Sequence, residues 1–466
     1  VTTATSVPAQ DRKSIYDAIW YDRDDIPLDL VGRMVSFLVI AYLVLNRLLS
    51  DRFVLPVGLS VRLYELVLVA LGVAWALWMV REPHPFPLGL VGLFGLLSFA
   101  VLALAPFIHA TTLTAFQADA SERGLFRLFI LSFLFIACFH LAFRLKEGMR
   151  IVGWLLVVTA FQAAFGIYEF LTAKPVVFLD SVALSIGLIP DPKSVRGEFD
   201  SVFQRLSGEV RAVGTAPHPI VLSALIAVGV LVAVTWLLYA RKTKVAVGVA
   251  LLGAVIALAL PVTNSRTAFV ILMAAGLPFL LLHIRKLPQL LMWMLPFIAV
   301  LMVSFALSPS TPRLLLNSLT NPEEDQNTTV RIERFSRVPE LLAERPAVGA
   351  GYLTHDTNVQ LFDNAFNKAI IEFGVLGFAL VMGFFLTALA TCWRGTARAR
   401  PDEIVLPAVG VIAAISLLAA AATFDAWTFD QFFPTCLLLL GLGLGRSTLI
   451  LGRERHPDML EQGVVA

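Results

Sequence analysis

Eleven side chains stand out by type and spacing. Arg211 lies just before Gly214-Thr215-Ala216-Pro217-His218-Pro219, where an apolar run begins. Arg266 closes Thr263-Asn264-Ser265-Arg266 at the start of another. Arg331, Arg334 and Arg337 follow one another three residues apart, and Asp363, Asn364 and Glu372 precede or open a further apolar run. A guanidinium presents a planar fork of donors to phosphate oxygens and keeps its charge. At a membrane face, that chemistry suits a lipid-linked diphosphate and stabilises charge as it leaves. A neighbouring carboxylate can take a proton from an attacking hydroxyl. Asp363 is the first candidate, with His355, Asp356 and His218 behind it. Asn364 can hold a sugar hydroxyl or cap a helix, and the cap is the commoner role. Plainer readings stand beside these. Each arginine can snorkel or form a local ion pair, and Arg334 and Arg337 can share a solvated face with Glu333 and Glu340.

The surrounding chain must place these groups at a membrane. It has 466 residues, 58% of them hydrophobic and 15% charged, with a mean hydropathy of +0.80. Soluble domains run about 45–50% apolar and about 25% charged. The composition excludes a disordered tail, a nucleic-acid binder and a secreted disulfide scaffold. A net charge of +2 gives no polyanion-binding surface. Cys138, Cys392 and Cys436 sit in apolar runs without metal-ligand spacing, so neither a metal nor another cofactor is expected.

A spanning helix needs about 20 mostly apolar residues, and about 12 stretches meet that criterion. They lie near 31–49, 61–80, 87–109, 124–143, 150–172, 218–240, 245–262, 267–284, 290–307, 368–393, 403–422 and 431–450. The expected fold is an all-α polytopic membrane protein. A single transmembrane domain, 31–450, lies between cytoplasmic tails at 1–30 and 451–466. The first 30 residues lack the apolar core of a signal peptide, so the first span is expected to be uncleaved.

Lysines and arginines in short loops set orientation. Arg144/Lys146/Arg150, Arg241/Lys242/Lys244, Arg285/Lys286 and Arg394/Arg398/Arg400 fall on one side, with Arg446, Arg453 and Arg455 assigned to the C-terminal tail. That side is expected to be the cytoplasm, with both termini in it. The opposite side receives the long connections 173–217 and 308–367 and the short turns around Arg266 and Asp425. Within 308–367, Ile332, Phe335, Val338, Leu341 and Leu342 recur at helical spacing, which predicts an amphipathic helix at the membrane surface, kinked at Pro339.

Several of these segments together resemble the O-antigen ligase and O-antigen polymerase superfamily. They are Arg331-Ile332-Glu333-Arg334-Phe335, Arg345-Pro346-Ala347-Val348-Gly349-Ala350-Gly351-Tyr352, Asp363-Asn364-Ala365-Phe366 and Glu372-Phe373-Gly374-Val375-Leu376-Gly377. Arg211 with Gly214-Thr215 and His218-Pro219, and Ser265-Arg266, extend the resemblance. It implies a GT-C-like membrane glycosyltransferase with a long helical extracytoplasmic loop between the ninth and tenth spans. Such an enzyme moves a glycan from a polyprenyl-diphosphate carrier to a sugar hydroxyl at the outer face of the bacterial inner membrane. It would work without a metal and with inversion. The implied partners are the carrier-linked donor, a glycan or lipid-linked acceptor, membrane lipids and envelope-glycan assembly proteins.

Ligases of the family have a histidine where this chain has Asp363, and several polymerase-type members have Asp-Asn. The resemblance therefore leans toward a polymerase, or a ligase with another acceptor, over a lipid A core ligase, although a carboxylate with a reference pKa of about 4 is a weak base unless buried. Gly349 and Gly351 suit a tight turn, and Gly374 and Gly377 suit close helix contact. The alternative is a transporter or flippase of lipid-linked saccharides. Transporters often carry paired halves with interrupted helices at the midplane; this chain has no convincing pairing of halves, and its charged motifs gather at one face.

Overall fold

The computed structural model describes residues 28–49, 53–54, 62–82, 89–174, 189–190, 211–289, 335–355 and 364–455, with 291–292, 299 and 302. The helices are α1 (Leu30–Leu48), α2 (Leu63–Arg81), α3 (Leu90–Ile108), α4 (Ala115–Leu141), α5 (Leu145–Thr172) and α6 (Pro219–Tyr239). They continue as α7 (Thr243–Leu258), α8 (Thr267–Leu282), α9 (Val338–Glu344), α10 (Ala365–Arg398), α11 (Val405–Thr423) and α12 (Phe432–Arg455). Phe53–Val54 and Ile189–Pro190 form a two-residue antiparallel pairing.

Among the described residues, ten helices are long and apolar enough to cross a membrane. α8, of 16 residues, takes the place of the eighth expected span, and the ninth, 290–307, lies almost wholly outside the described residues. The protein is a multi-pass, all-α membrane protein. Helix starts follow local chemistry. Asp29 accepts the Gly32 N–H at 2.6 Å to cap α1, and Thr114 and Gln117 cap α4 reciprocally at 3.2 Å. α6, α11 and α12 are the most enclosed helices, while α3 is the most peripheral and turns Leu93, Leu96 and Phe107 outward. In a bilayer those side chains face lipid.

The charges sort to the two ends of the bundle. At one end Arg144 pairs with Glu82 at 3.1 Å, and Arg446 and Arg453 pair with Glu403 at 2.5 and 2.7 Å. Arg446 corrects the sequence reading. It lies inside α12 and is fully buried, so it belongs to an ion pair with Glu403 in the turn before α11 and not to the tail. Pro339 is a second correction. It stands in the first turn of α9, where its missing N–H would have no intrahelical partner, so it starts the helix without kinking it.

Candidate active site

The other end of the bundle gathers the described candidates into two neighbouring groups. The first is built on the loop from Arg211 to His218. Glu169, near the end of α5, is buried and accepts the Val213 N–H at 2.9 Å and the Gly214 N–H at 2.6 Å. Thr215 Oγ1 donates to the Arg47 carbonyl at 2.6 Å and accepts from Gln162 Nε2 at 2.9 Å. Gln431 Nε2 lies 3.1 Å from the Thr215 carbonyl. The motif loop is thereby tied to α1, α5 and the start of α12.

Arg266 enters from the next loop. Ala212 N–H donates to the Val262 carbonyl at 3.0 Å, and Ser223 Oγ donates to Ser265 Oγ at 3.0 Å. These bonds hold the residue after Arg211 and the residue before Arg266 on touching loops. Both arginines are partly exposed. His218 caps α6: its Nδ1 accepts the Ile220 N–H at 3.1 Å, which leaves the proton of the neutral ring on Nε2. Burial first, and then the Arg211 charge, push the His218 pKa down to about 4. At neutral pH it is an uncharged Nε2–H donor beside Arg211.

The second group surrounds the start of α10. Asn364 Oδ1 accepts the Phe366 N–H at 2.9 Å, and its Nδ2 donates to the Ala422 carbonyl at 3.3 Å. Its side chain thus serves as the helix cap. The Glu372 carboxylate is buried, accepts the His355 N–H at 3.1 Å and lies 4.0 Å from Lys368 Nζ. Glu372 therefore positions the Gly349–His355 turn. Lys368 Nζ donates to Asp425 at 2.8 Å and to Thr428 at 3.1 Å.

The two glycine motifs pack against each other. Gly374 breaks α10 with φ +65°, and the freed Val375 and Leu376 N–H groups donate to the Pro346 and Ala347 carbonyls at 2.9 and 3.1 Å. A Cβ at Gly349 would lie 2.0 Å from the Glu372 carbonyl oxygen. Gly374 is thus a backbone break in α10 as well as a point of close contact. Arg337, before α9, is exposed. Asp363, Arg331, Arg334 and Asp356 lie outside the described residues.

Sequence reasoning missed Glu169, Arg62, Arg127, Lys368 and Asp430. The signal was present, because each is an ionisable residue within or beside an apolar run, which is costly without a purpose.

The fold and this end of the bundle define a polytopic membrane protein with a charged site at one face. Residues 252–382 match a family model described as O-antigen ligase. The match covers less than a third of the chain but contains Arg266, Arg331, Arg334, Arg337, His355, Asp363, Asn364 and Glu372. It supports the resemblance to the O-antigen ligase and polymerase superfamily, and with it a membrane glycan-processing function of that type. No curated protein gave a match.

Proposed function

We propose that this protein is a metal-independent, inverting glycosyltransferase of the polymerase type. It takes glycan from a polyprenyl-diphosphate donor at the outer face of the bacterial inner membrane. Arg211, Arg266 and Arg331 bind the diphosphate, and neutral His218 adds an Nε2–H donor. The acceptor sugar hydroxyl attacks the anomeric carbon from the face opposite the diphosphate. A new carbon–oxygen bond forms, the bond to the diphosphate oxygen breaks, and the hydroxyl proton passes to Asp363. The arginines stabilise the negative charge that builds on the departing diphosphate. Placing the basic short loops in the cytoplasm puts this site outside.

The observation that carries the reading is the juxtaposition of the Arg211 and Arg266 loops through the Ala212–Val262 bond, with Ser265 held to α6 by Ser223. The Asp363-Asn364 pair favours polymerase over lipid A core ligase. The test mixes purified protein with carrier-linked donor and acceptor. Elongated product is expected, and Arg266→Ala is expected to lower transfer by about a hundredfold or more. Normal transfer by Arg266→Ala would remove its role, and normal transfer by Asp363→Asn would remove the base assignment. Movement of donor between leaflets without new glycosidic bonds would identify a transporter instead.

A further inference from the structure

Three arginines are buried among the described residues, and two of them have carboxylates. Arg144 pairs with Glu82, and Arg446 pairs with Glu403. Arg47 has none among the described residues. It lies in the last turn of α1 and is 1% exposed. Its Nη1 donates to Gln162 Oε1 at 2.8 Å, and its Nε has no hydrogen-bond partner among the described residues. The titratable groups there whose charge acts on it are Tyr42 and Cys436, which are ordinarily uncharged at neutral pH. A buried charge without a counter-charge is costly, and one inside a membrane helix marks function. The carbonyl end of α1 offsets only part of that cost.

Arg47 stands behind the loop that carries Arg211. A guanidinium only donates, so the Gln162 side chain must turn its oxygen to Arg47. That sets Gln162 Nε2 toward Thr215 Oγ1 at 2.9 Å and toward the Arg47 carbonyl at 3.0 Å. Thr215 Oγ1 closes the circuit by donating to the same carbonyl at 2.6 Å. Gln431 Nε2 lies 3.2 Å from that carbonyl and 3.1 Å from the Thr215 carbonyl. Glutamine and threonine bring no charge to the cluster.

α5 meets the loop with three residues in successive turns. Gln162 takes Arg47, a Cβ at Gly166 would lie 3.6 Å from the Ala212 Cβ, and Glu169 accepts the Val213 and Gly214 N–H groups. Four residues of helix, about 6 Å, therefore separate the level of the Arg47 contact from that of the residue following Arg211. Across a dry interior a charge acts over such a distance.

We propose that Arg47 is a positioning residue for the donor. Relayed through Gln162 and Thr215, its unpaired charge biases the Arg211–His218 loop toward holding an anion. The donor diphosphate is the counter-charge that Arg47 lacks, so the same charge favours donor binding and destabilises the empty protein. This rests on the reading of Arg211 and Arg266 as the donor site.

Isothermal titration of the purified full chain in detergent with inorganic diphosphate, beside thermal unfolding without it, tests this. Arg47→Met is expected to weaken diphosphate binding by about tenfold. The empty variant is expected to melt no lower than wild type, because an unpaired buried charge has gone. Arg47→Lys keeps the charge and a donor and is expected to bind within about threefold of wild type. In glycan transfer, Arg47→Met is expected to raise the donor KM by about tenfold with kcat nearly unchanged. If Arg47→Met does not fold, Cys436→Asp brings a carboxylate into the field of Arg47 and leaves Gln162 and Thr215 in place. It is expected to weaken diphosphate binding by about tenfold without lowering the melting temperature.

Wild-type affinity in either folded variant would overturn the proposal. Weaker binding with a lower melting temperature and no recovery in Arg47→Lys would also overturn it, since that pattern marks a structural role. R211Q/R266Q separates the two readings. If it abolishes diphosphate binding while Arg47→Met leaves binding unchanged, the donor site stands and this inference falls. If wild type binds no diphosphate, or R211Q/R266Q binds it unchanged, the donor-site reading falls and this inference with it.

Discussion

The Glu169 carboxylate accepts the Gly214 N–H at 2.6 Å, an anchor inside the bundle for the loop that begins at Arg211. The same oxygen accepts the Val213 N–H at 2.9 Å. Glu169→Ala leaves two buried N–H groups without an acceptor, at about 1–3 kcal/mol each. Glu169→Gln keeps a neutral acceptor of about half the strength. Thermal unfolding in detergent should therefore rank wild type above Glu169→Gln above Glu169→Ala. Transfer should follow the same order, with a raised KM for the donor before any fall in kcat.

The folded-state pKa of His218, about 4, lies below the ordinary histidine value of 6.5. Between those values the unfolded chain binds the proton and the folded chain does not. Stability from this group is therefore complete above pH 6.5 and declines as pH falls toward 4, by about 3 kcal/mol. Below pH 4 both states are protonated and the decline stops. His218→Asn keeps a good helix cap and removes the titration. Its melting temperature should change less between pH 7 and pH 4.5 than that of the wild type, and equal slopes would refute the linkage.

Gly374 has φ +65° and ψ 177°, a conformation open almost only to glycine. An added Cβ would also sit 2.5 Å from the Ala347 carbonyl oxygen. Gly374→Ala should destabilise by about 2 kcal/mol or more and release the turn at Pro346–Gly351. Faster hydrogen exchange at Gly351, whose N–H bonds to the Glu372 carbonyl at 2.9 Å, would report that release.

Lys368 is buried between Asp425, at 2.8 Å, and Glu372, at 4.0 Å. Lys368→Met leaves two carboxylates without their cation, and breaking such a pair costs about 3–5 kcal/mol. Adding Asp425→Asn should recover a large part of the loss. A double-mutant cycle read by chemical denaturation checks it, and strictly additive losses would show that the pair is not coupled.

Much of this molecule is legible along the chain. Apolar runs of about 20 residues mark the membrane helices because a bilayer demands that length and leaves no backbone group unsatisfied. The candidates at Arg211, Arg266 and Glu372 were recognisable as charges at the margins of such runs. Their partners were not. The Asn364 cap was one of the roles its residue type offered, whereas Glu372 proved to be a clamp on the His355 N–H, because the nearest polar group is set by which loop folds over α10. Arg446 looked like a tail charge until the packing of α12 set it against Glu403.

Local pattern was enough for helices and chemically promising residue types, since those depend on neighbours a few positions away. The pairing of Arg62 with Asp430, 368 positions apart, rests on how α2, α4 and α12 pack. The same holds for Glu169 reaching Gly214 and for the turn at Gly349 seating on Gly374. A buried charge takes its role from the groups that surround it in space, and helix packing alone assembles those groups.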